Sequence, residues 1–487
     1  MRPTDPPARP LSALLEQLPQ LRPDRPVLGR TVTGCTLDSR AVQAGDLYAA
    51  LPGASVHGAD FAAQAVSAGA AAVLTDPASA AAFAGFDLPV LVTGDPRAVL
   101  GAVARWVHAD PAAGMLVLGV TGTNGKTTTA FLLEAALRAA GHRTGLLGTV
   151  LTRIGGDVVP SVRTTPEAPD LQALLAVMRD RGTTAVAMEV SSHALVLGRV
   201  DGVRFDVAAF TNLSQDHLDF HPSMADYEAA KASLFTPARA RRAVLNVDDA
   251  AGRRIARATE LPVTTYGEDA DWQARELDLR PDGSTFRLLG PGVDLRVSLA
   301  LPGAFNVVNA LTALACLGAA GVSVEDGGRG IAGLSGVPGR MERVEAGQPF
   351  LALVDYAHTP DAVTRLLSAV RALTSGRVIV VLGCGGDRDH AKRPLMGAAA
   401  SAADLAILTS DNPRSEDPQA ILAEMAAGAA GAVLEVDRRA AIARAVAAAG
   451  PGDAVVVAGK GHESGQEATG VVHPFDDRQV LREILRP

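Results

Sequence analysis

Residues 119–129 read GVTGTNGKTTT and follow the apolar run MLVL at 115–118. The run MLVLGV (115–120) predicts a strand, and TTTAFLLEAALRAAG (127–141) has apolar residues at helical spacing with Gly141 as its stop. Between them lies a tight glycine turn. Gly122 and Gly125 let backbone N–H groups converge on an anion, and the helix N-terminus adds partial positive charge. Lys126 is placed to reach outer phosphates, and the Thr127 hydroxyl to ligate magnesium. The ligand implied is a nucleoside triphosphate. The strict form of this loop has glycine five residues before Gly125, where this chain has Val120.

With 487 residues the chain has room for about three domains, and 48% hydrophobic residues suffice for several cores. Its three cysteines, Cys35, Cys316 and Cys384, have neither disulfide nor metal-ligand spacing, which fits a reducing compartment. The opening MRPTDPPARP has charge and proline in place of an apolar signal, and no later stretch runs about eighteen apolar residues. A soluble cytoplasmic protein is expected. A net charge of −8, 4% aromatic residues and no basic run count against nucleic acid. An anionic substrate would be met by local arginines and lysines. The expected partners are small molecules, bound by a monomer without membrane insertion.

The fold expected is α/β in three domains. Residues 1–112 carry the short strands DLYAAL (46–51), AAVLTD (71–76) and PVLVTG (89–94), with the helical FAAQAVSAGA (61–70), as a small N-terminal unit. Residues 113–337 continue from the phosphate loop through TAVAMEV (184–190), DVAAFTNL (206–213) and RAVLNVD (242–248), a central P-loop ATPase-like parallel sheet. After the linker-like GVPGRMERV (336–344), residues 338–487 carry LALVDYAH (351–358), RVIVVLGCGGD (377–387), LAILTSDNP (405–413) and DAVVVAGKG (453–461). Alanine-rich helices at 415–429 and 437–449 alternate with these strands, as in a Rossmann-like doubly wound domain.

Polar clusters close the central strands, where ligands of open parallel sheets bind. MEVSSHAL (188–195) ends one, and FTNLSQDHLDFH (210–221) ends the next. Glu189 and His217 could hold magnesium beside Thr127, two hard cations together neutralising a triphosphate. Each alone also reads as a helix cap or a loop hydrogen bond. In the helical DYEAAKASLF (226–235), Lys231 sits among alanines and would ordinarily reach for water. If it faces the metals instead, burial lowers its pKa and opens it to carbon dioxide, giving a carbamate that is an anionic metal ligand.

These segments, with GAFNVVNALTA (303–313), GRMERV (339–344), DYAHTPDA (355–362), GCGGDRDHAKRPLM (383–396), SDNPR (410–414) and AGKGHE (458–463), resemble the Mur ligases. Within that family they are similar to the MurE type, which adds the third residue to the UDP-N-acetylmuramoyl dipeptide of peptidoglycan. The likeness runs from LDSR (37–40) almost to the C-terminus. It implies an ATP-dependent amide ligase with two Mg2+ ions, which passes the γ-phosphate of ATP to the γ-carboxylate of D-glutamate. It assigns Gly122, Thr123, Asn124, Gly125, Lys126, Thr127, Thr128, Asn306 and Arg340 to ATP. Thr127, Glu189, His217 and the Lys231 carbamate would hold metal, with Lys126, His217, Lys231 and His358 catalytic. Asn309 is the second adenine-side candidate, and both asparagines also read as caps of the following helix. For the UDP-muramyl dipeptide it points to Leu37, Ser39, the loop 54–56, Thr164, Thr165, Ser191 and Arg199. For the incoming amino acid it points to Arg388, Asp411, Asn412, Pro413, Arg414, Gly459 and Glu463. The DNPR sequence favours meso-diaminopimelate, whose distal carboxylate suits a guanidinium, over L-lysine or L-ornithine. Other Mur ligases, folylpolyglutamate-synthase-like enzymes and a nucleotide-switched binding protein are the rival readings.

Overall fold

The computed structural model describes residues 1–53 and 55–486. Three mainly parallel sheets follow one another along the chain. The first runs, edge to edge, Arg22–Pro23, Val90–Val92, Ala72–Thr75, Asp46–Ala49 and Gly34–Thr36, parallel except at its first pair. Asp46–Ala49 and Ala72–Thr75 are buried at every position, as strands covered on both faces must be.

The central sheet has eight strands and is built around β1 (Leu116–Thr121). Its order is Asp157–Pro160, Leu151–Ile154, Thr144–Leu147, β2 (Ala185–Glu189), β1, β3 (Val207–Phe210), Ala243–Asn246 and Val263–Tyr266. The last six are parallel and the first two form an antiparallel hairpin. One face packs on α1 (Lys126–Ala139), a helix at Ala304–Ala320 and the antiparallel strands Gln273–Arg280, Gly283–Gly290 and Val293–Leu299. The other face packs on the helix Ala168–Asp180. The antiparallel trio was not legible as such: its outward faces are charged, so no apolar run marks it.

The third sheet runs Glu342–Arg343, β4 (Leu351–Asp355), β7 (Ala454–Ala458), β5 (Val378–Cys384), β6 (Leu405–Ser410) and Val433–Leu434. Helices Pro360–Leu373, Lys392–Ala400 and Pro418–Ala426 cover one face, and Arg438–Ala448 and Asp477–Leu485 the other. The doubly wound expectation for this region holds. A hairpin, Gly465–Ala468 with Val471–Pro474, follows β7.

Candidate active site

The phosphate loop leaves the carboxyl end of β1, and β2 and β3 flank that strand on either side. Val120 pairs with Glu189 across one edge and Thr121 with Phe210 across the other. The two polar strand ends therefore stand on opposite sides of the loop rather than next to each other. Val120 itself is buried in the sheet's core, so this position belongs to the strand and the turn begins only at Gly122. A Cβ on Gly122 would lie 1.9 Å from Thr211 Oγ1, and one on Gly125, at φ +90°, 2.4 Å from Asn309 Oδ1. Asn212 Oδ1 accepts the Asn124 N–H at 3.0 Å, and Thr211 Oγ1 donates to Asn124 O at 2.7 Å. Lys126 Nζ donates to Gly122 O and Thr123 O, both at 2.8 Å. Burial lowers its pKa, partly opposed by the charges of Glu189 and Asp216.

Glu189 is 1% exposed. Its Oε1 accepts the Thr149 N–H at 2.7 Å, and its Oε2 accepts the Thr149 and Thr127 hydroxyls at 3.0 Å each. These donors are neutral, and among the described residues no cation bonds the carboxylate directly, Lys126 acting on it only through its charge; such a group fits a divalent ion, with the Thr127 hydroxyl as a second oxygen ligand. His217 holds a left-handed φ of +55°, and burial pushes its pKa down to about 3, keeping the imidazole neutral as a metal ligand requires. Lys231 lies deeper. Its Nζ donates to Gly122 O at 2.8 Å and sits 4.3 Å from the Tyr227 ring centroid, behind the loop rather than on the cavity wall. It does not reach for water: burial, then the Lys126 charge, holds its pKa well below the lysine value.

In front of the loop opens a cavity of about 350 Å³, lined by Thr123 through Thr128, Glu189, His217, Arg340 and His358. Arg340 Nη2 donates to Thr127 Oγ1 at 3.0 Å, and its guanidinium carbon stacks 4.5 Å from the Tyr356 ring centroid. His358 Nδ1 pairs with Tyr356 O at 2.8 Å, which leaves Nε2 facing the Asp216 carboxylate at 3.9 Å. Of the adenine-side asparagines, Asn309 reaches the wall and Asn306 does not. Asn306 is buried behind it, donating to Pro302 O at 2.8 Å and accepting from Asn309 at 3.2 Å. Neither caps the helix, whose N-cap is Gly303.

The residues expected at the UDP-substrate divide. Thr164 and Ser191 line this same cavity, and buried Thr165 donates to Glu189 O at 2.9 Å. Leu37 packs on the first domain's core, and Ser39 Oγ donates to Gln64 Oε1 at 2.8 Å. Arg199 pairs with Glu167 at 2.8 Å. Ala54 of the loop 54–56 lies outside the described residues.

A second cavity, of about 270 Å³, is lined by Arg388, Asp411, Asn412, Arg414, Gly459 and Glu463. Pro413 is the exception among the expected set. It turns the chain, its carbonyl accepting from the Glu416 N–H at 3.0 Å. Asp216, His217, Tyr356 and His358 line both cavities and so form a shared wall. Asp216 and Tyr356 went unassigned in the sequence although both lie inside quoted motifs, because a DH or DY pair there reads equally as loop structure. Thr149, which holds Glu189, carried no signal beyond following a strand.

A glycine loop at the end of a central parallel strand, opening toward a second charged cavity, defines a nucleotide-binding protein that presents a terminal phosphate to another substrate. Three family models match the chain in order. They are the Mur ligase family catalytic domain at 31–108, the Mur ligase middle domain at 120–317, and the Mur ligase glutamate ligase domain at 339–461. A relative from Streptomyces coelicolor, named UDP-N-acetylmuramoyl-L-alanyl-D-glutamate--2,6-diaminopimelate ligase, is 57% identical over 98% of this chain and 97% of its own. One of the same name from Streptomyces avermitilis is 54% identical over 100% and 98%. A solved structure of that name is 35% identical, with a TM-score of 0.67 over 95% of this chain and 96% of its own. The chain belongs to the Mur ligase family.

Proposed function

We propose that this chain is an ATP-dependent ligase joining meso-diaminopimelate to the D-glutamate γ-carboxylate of UDP-N-acetylmuramoyl-L-alanyl-D-glutamate, in the synthesis of peptidoglycan precursors. The relatives' names support the reaction, and one observation carries the reading to this chain: the phosphate-loop cavity and the arginine-bearing cavity meet at a shared wall. A carboxylate does not condense with an amine in water, so the first cavity activates it and the second supplies the amine. The units 1–112, 113–337 and 338–487 bring the UDP-sugar, the ATP and the amino acid respectively. Among the described residues no helix is long and apolar enough to cross a membrane, which accords with work on a soluble precursor in the cytoplasm.

The loop N–H groups and Lys126 hold the β- and γ-phosphates while the acyl phosphate forms. Thr127, Glu189 and His217 would hold Mg2+, which neutralises phosphate charge when bound. Arg340 and His358, brought from the third domain, close over the transferring group and keep water from it. Arg388 and Arg414 orient the amino acid through its carboxylates, so its amine meets the activated carbon at the shared wall. Lys231 is carbamylated in the working enzyme, its depressed pKa supplying the neutral amine that attacks carbon dioxide and gives up a proton to solvent as the carbamate forms. Activity that is unchanged after carbon dioxide is stripped away, or in Lys231→Ala, rules that part out.

The test of the reaction is phosphate release and product mass with the UDP-dipeptide and diaminopimelate, lysine or ornithine. Turnover that needs both substrates and prefers diaminopimelate supports the proposal. ATP hydrolysis indifferent to the amine overturns it in favour of a nucleotide switch.

A further inference from the structure

Behind the amino-acid cavity lies a lysine that the reaction as described does not use. The Lys460 side chain is 0% exposed, at the end of β7. Its Nζ donates to Asn412 Oδ1 at 3.0 Å and to Glu463 Oε2 at 3.1 Å. Asn412 Oδ1 also accepts the Glu467 N–H at 2.9 Å, so both of its lone pairs are taken from behind. Asn412 Nδ2 donates to the same Glu463 Oε2 at 2.9 Å. Were the amide turned over, its NH2 would face an ammonium and a backbone N–H, donor against donor. The amide orientation is therefore set by Lys460 and the Glu467 backbone together.

We infer that Lys460 is a positioning residue for the incoming amino acid. It orients Asn412 and anchors one oxygen of Glu463, so that an amide N–H and the free carboxylate oxygen point at the ligand side by side. That pair matches an α-amino acid centre, whose carboxylate accepts and whose ammonium donates. The inference rests on the ligase reading only for the identity of the amino acid. Without Lys460, Asn412 Oδ1 keeps only the Glu467 N–H and Glu463 loses its buried counter-ion, so the cavity keeps its shape but holds its donor–acceptor pattern less firmly. The Arg414 N–H donates to Glu467 O at 3.0 Å, a contact in which Lys460 takes no part.

The experiment compares wild type, Lys460→Met, Lys460→Gln, Glu463→Gln and the double variant Lys460→Met/Glu463→Gln, using whichever of diaminopimelate, lysine and ornithine the wild type accepts. Lys460→Met is expected to raise the amino-acid KM about tenfold, with kcat and the KM values for ATP and the UDP-dipeptide little changed. Lys460→Gln keeps a donor to Asn412 without the charge and is expected to fall between, and it stands in should the Met variant fail to fold. In the double variant the two losses combine to less than their product, since either single change already breaks the Lys460–Glu463 contact. An unchanged amino-acid KM, KM values rising together for all three substrates, or fully multiplicative losses overturn the inference. A wild type that prefers lysine contradicts the substrate reading and leaves this contrast intact. Should no amine be turned over, calorimetric binding of diaminopimelate to wild type and variants reads the same tenfold difference.

Discussion

Gly125 and Lys126 divide the work of the phosphate loop between a missing side chain and a present one. Gly125→Ala places a methyl at φ +90° and 2.4 Å from Asn309 Oδ1, so the loop must deform. Its ATP KM is expected to rise at least about tenfold, with the melting temperature nearly unchanged because the loop lies outside the cores. Lys126→Met removes the charge proposed to meet the transferring phosphoryl group. Its kcat is expected to fall by about 10²–10³, with UDP-dipeptide affinity retained, as steady-state kinetics and direct binding would show. A Met variant with wild-type kcat contradicts the role. At this scale the sequence was most legible where backbone demands a residue type, as at Gly122 and Gly125. It was least legible for Asn306 and Asn309, three apart on one helix and so on nearly one face. Only the packing of that helix decides that Asn309 touches the loop and Asn306 turns back to Pro302. Lys231 likewise shows helical spacing in the sequence, and its burial becomes visible only once the loop lies across it.

Strands announced themselves through β-branched and leucine-rich runs, and β1 through β7 all lie inside stretches quoted from the sequence. Their order did not, because hydrophobicity says that a strand is buried and not which strand is beside it. Hence the strand ends carrying Glu189 and His217 read as neighbours in the sequence although β1 runs between them. Helices Arg438–Ala448 and Asp477–Leu485 are tied by a fully buried pair, Arg438 with Asp477 at 2.7 Å. The same guanidinium donates to Ser410 O at 3.3 Å and Ala458 O at 2.9 Å, the last residues of β6 and β7. It thereby fixes the two strand ends from which the Asp411–Arg414 and Gly459–Glu463 loops spring. Asp477→Ala leaves that charge buried without its partner and is expected to cost about 3–5 kcal/mol in urea unfolding. A loss below about 1 kcal/mol contradicts this assignment.

On the scale of the whole molecule, the middle and third domains meet through polar contacts, Asn124 to Asp361 at 3.1 Å and Arg340 to Thr127 at 3.0 Å. Two histidines, His108 and His221, are buried among the described residues. Burial pushes His108 down to about 4 from an ordinary 6.5, and its Nε2 has no hydrogen-bond partner among the described residues. Between about pH 4 and 6.5 the unfolded chain then holds more protons than the native one, so stability rises with pH through that window and is lost as pH falls through it. Denaturant unfolding is expected to show His108 contributing a slope of up to about 1.4 kcal/mol per pH unit there, and His108→Gln to remove that share. The loop and the third domain meet at one place, and the transfer proposed there is that of the γ-phosphoryl group to the substrate's carboxylate, ahead of the amine. Its most direct measurement uses UDP-dipeptide carrying 18O in the D-glutamate γ-carboxylate, with mass analysis of the phosphate released during ligation. One 18O in each inorganic phosphate, with ADP as the nucleotide product, is the result expected. Phosphate free of label, or AMP and pyrophosphate in place of ADP, would contradict it.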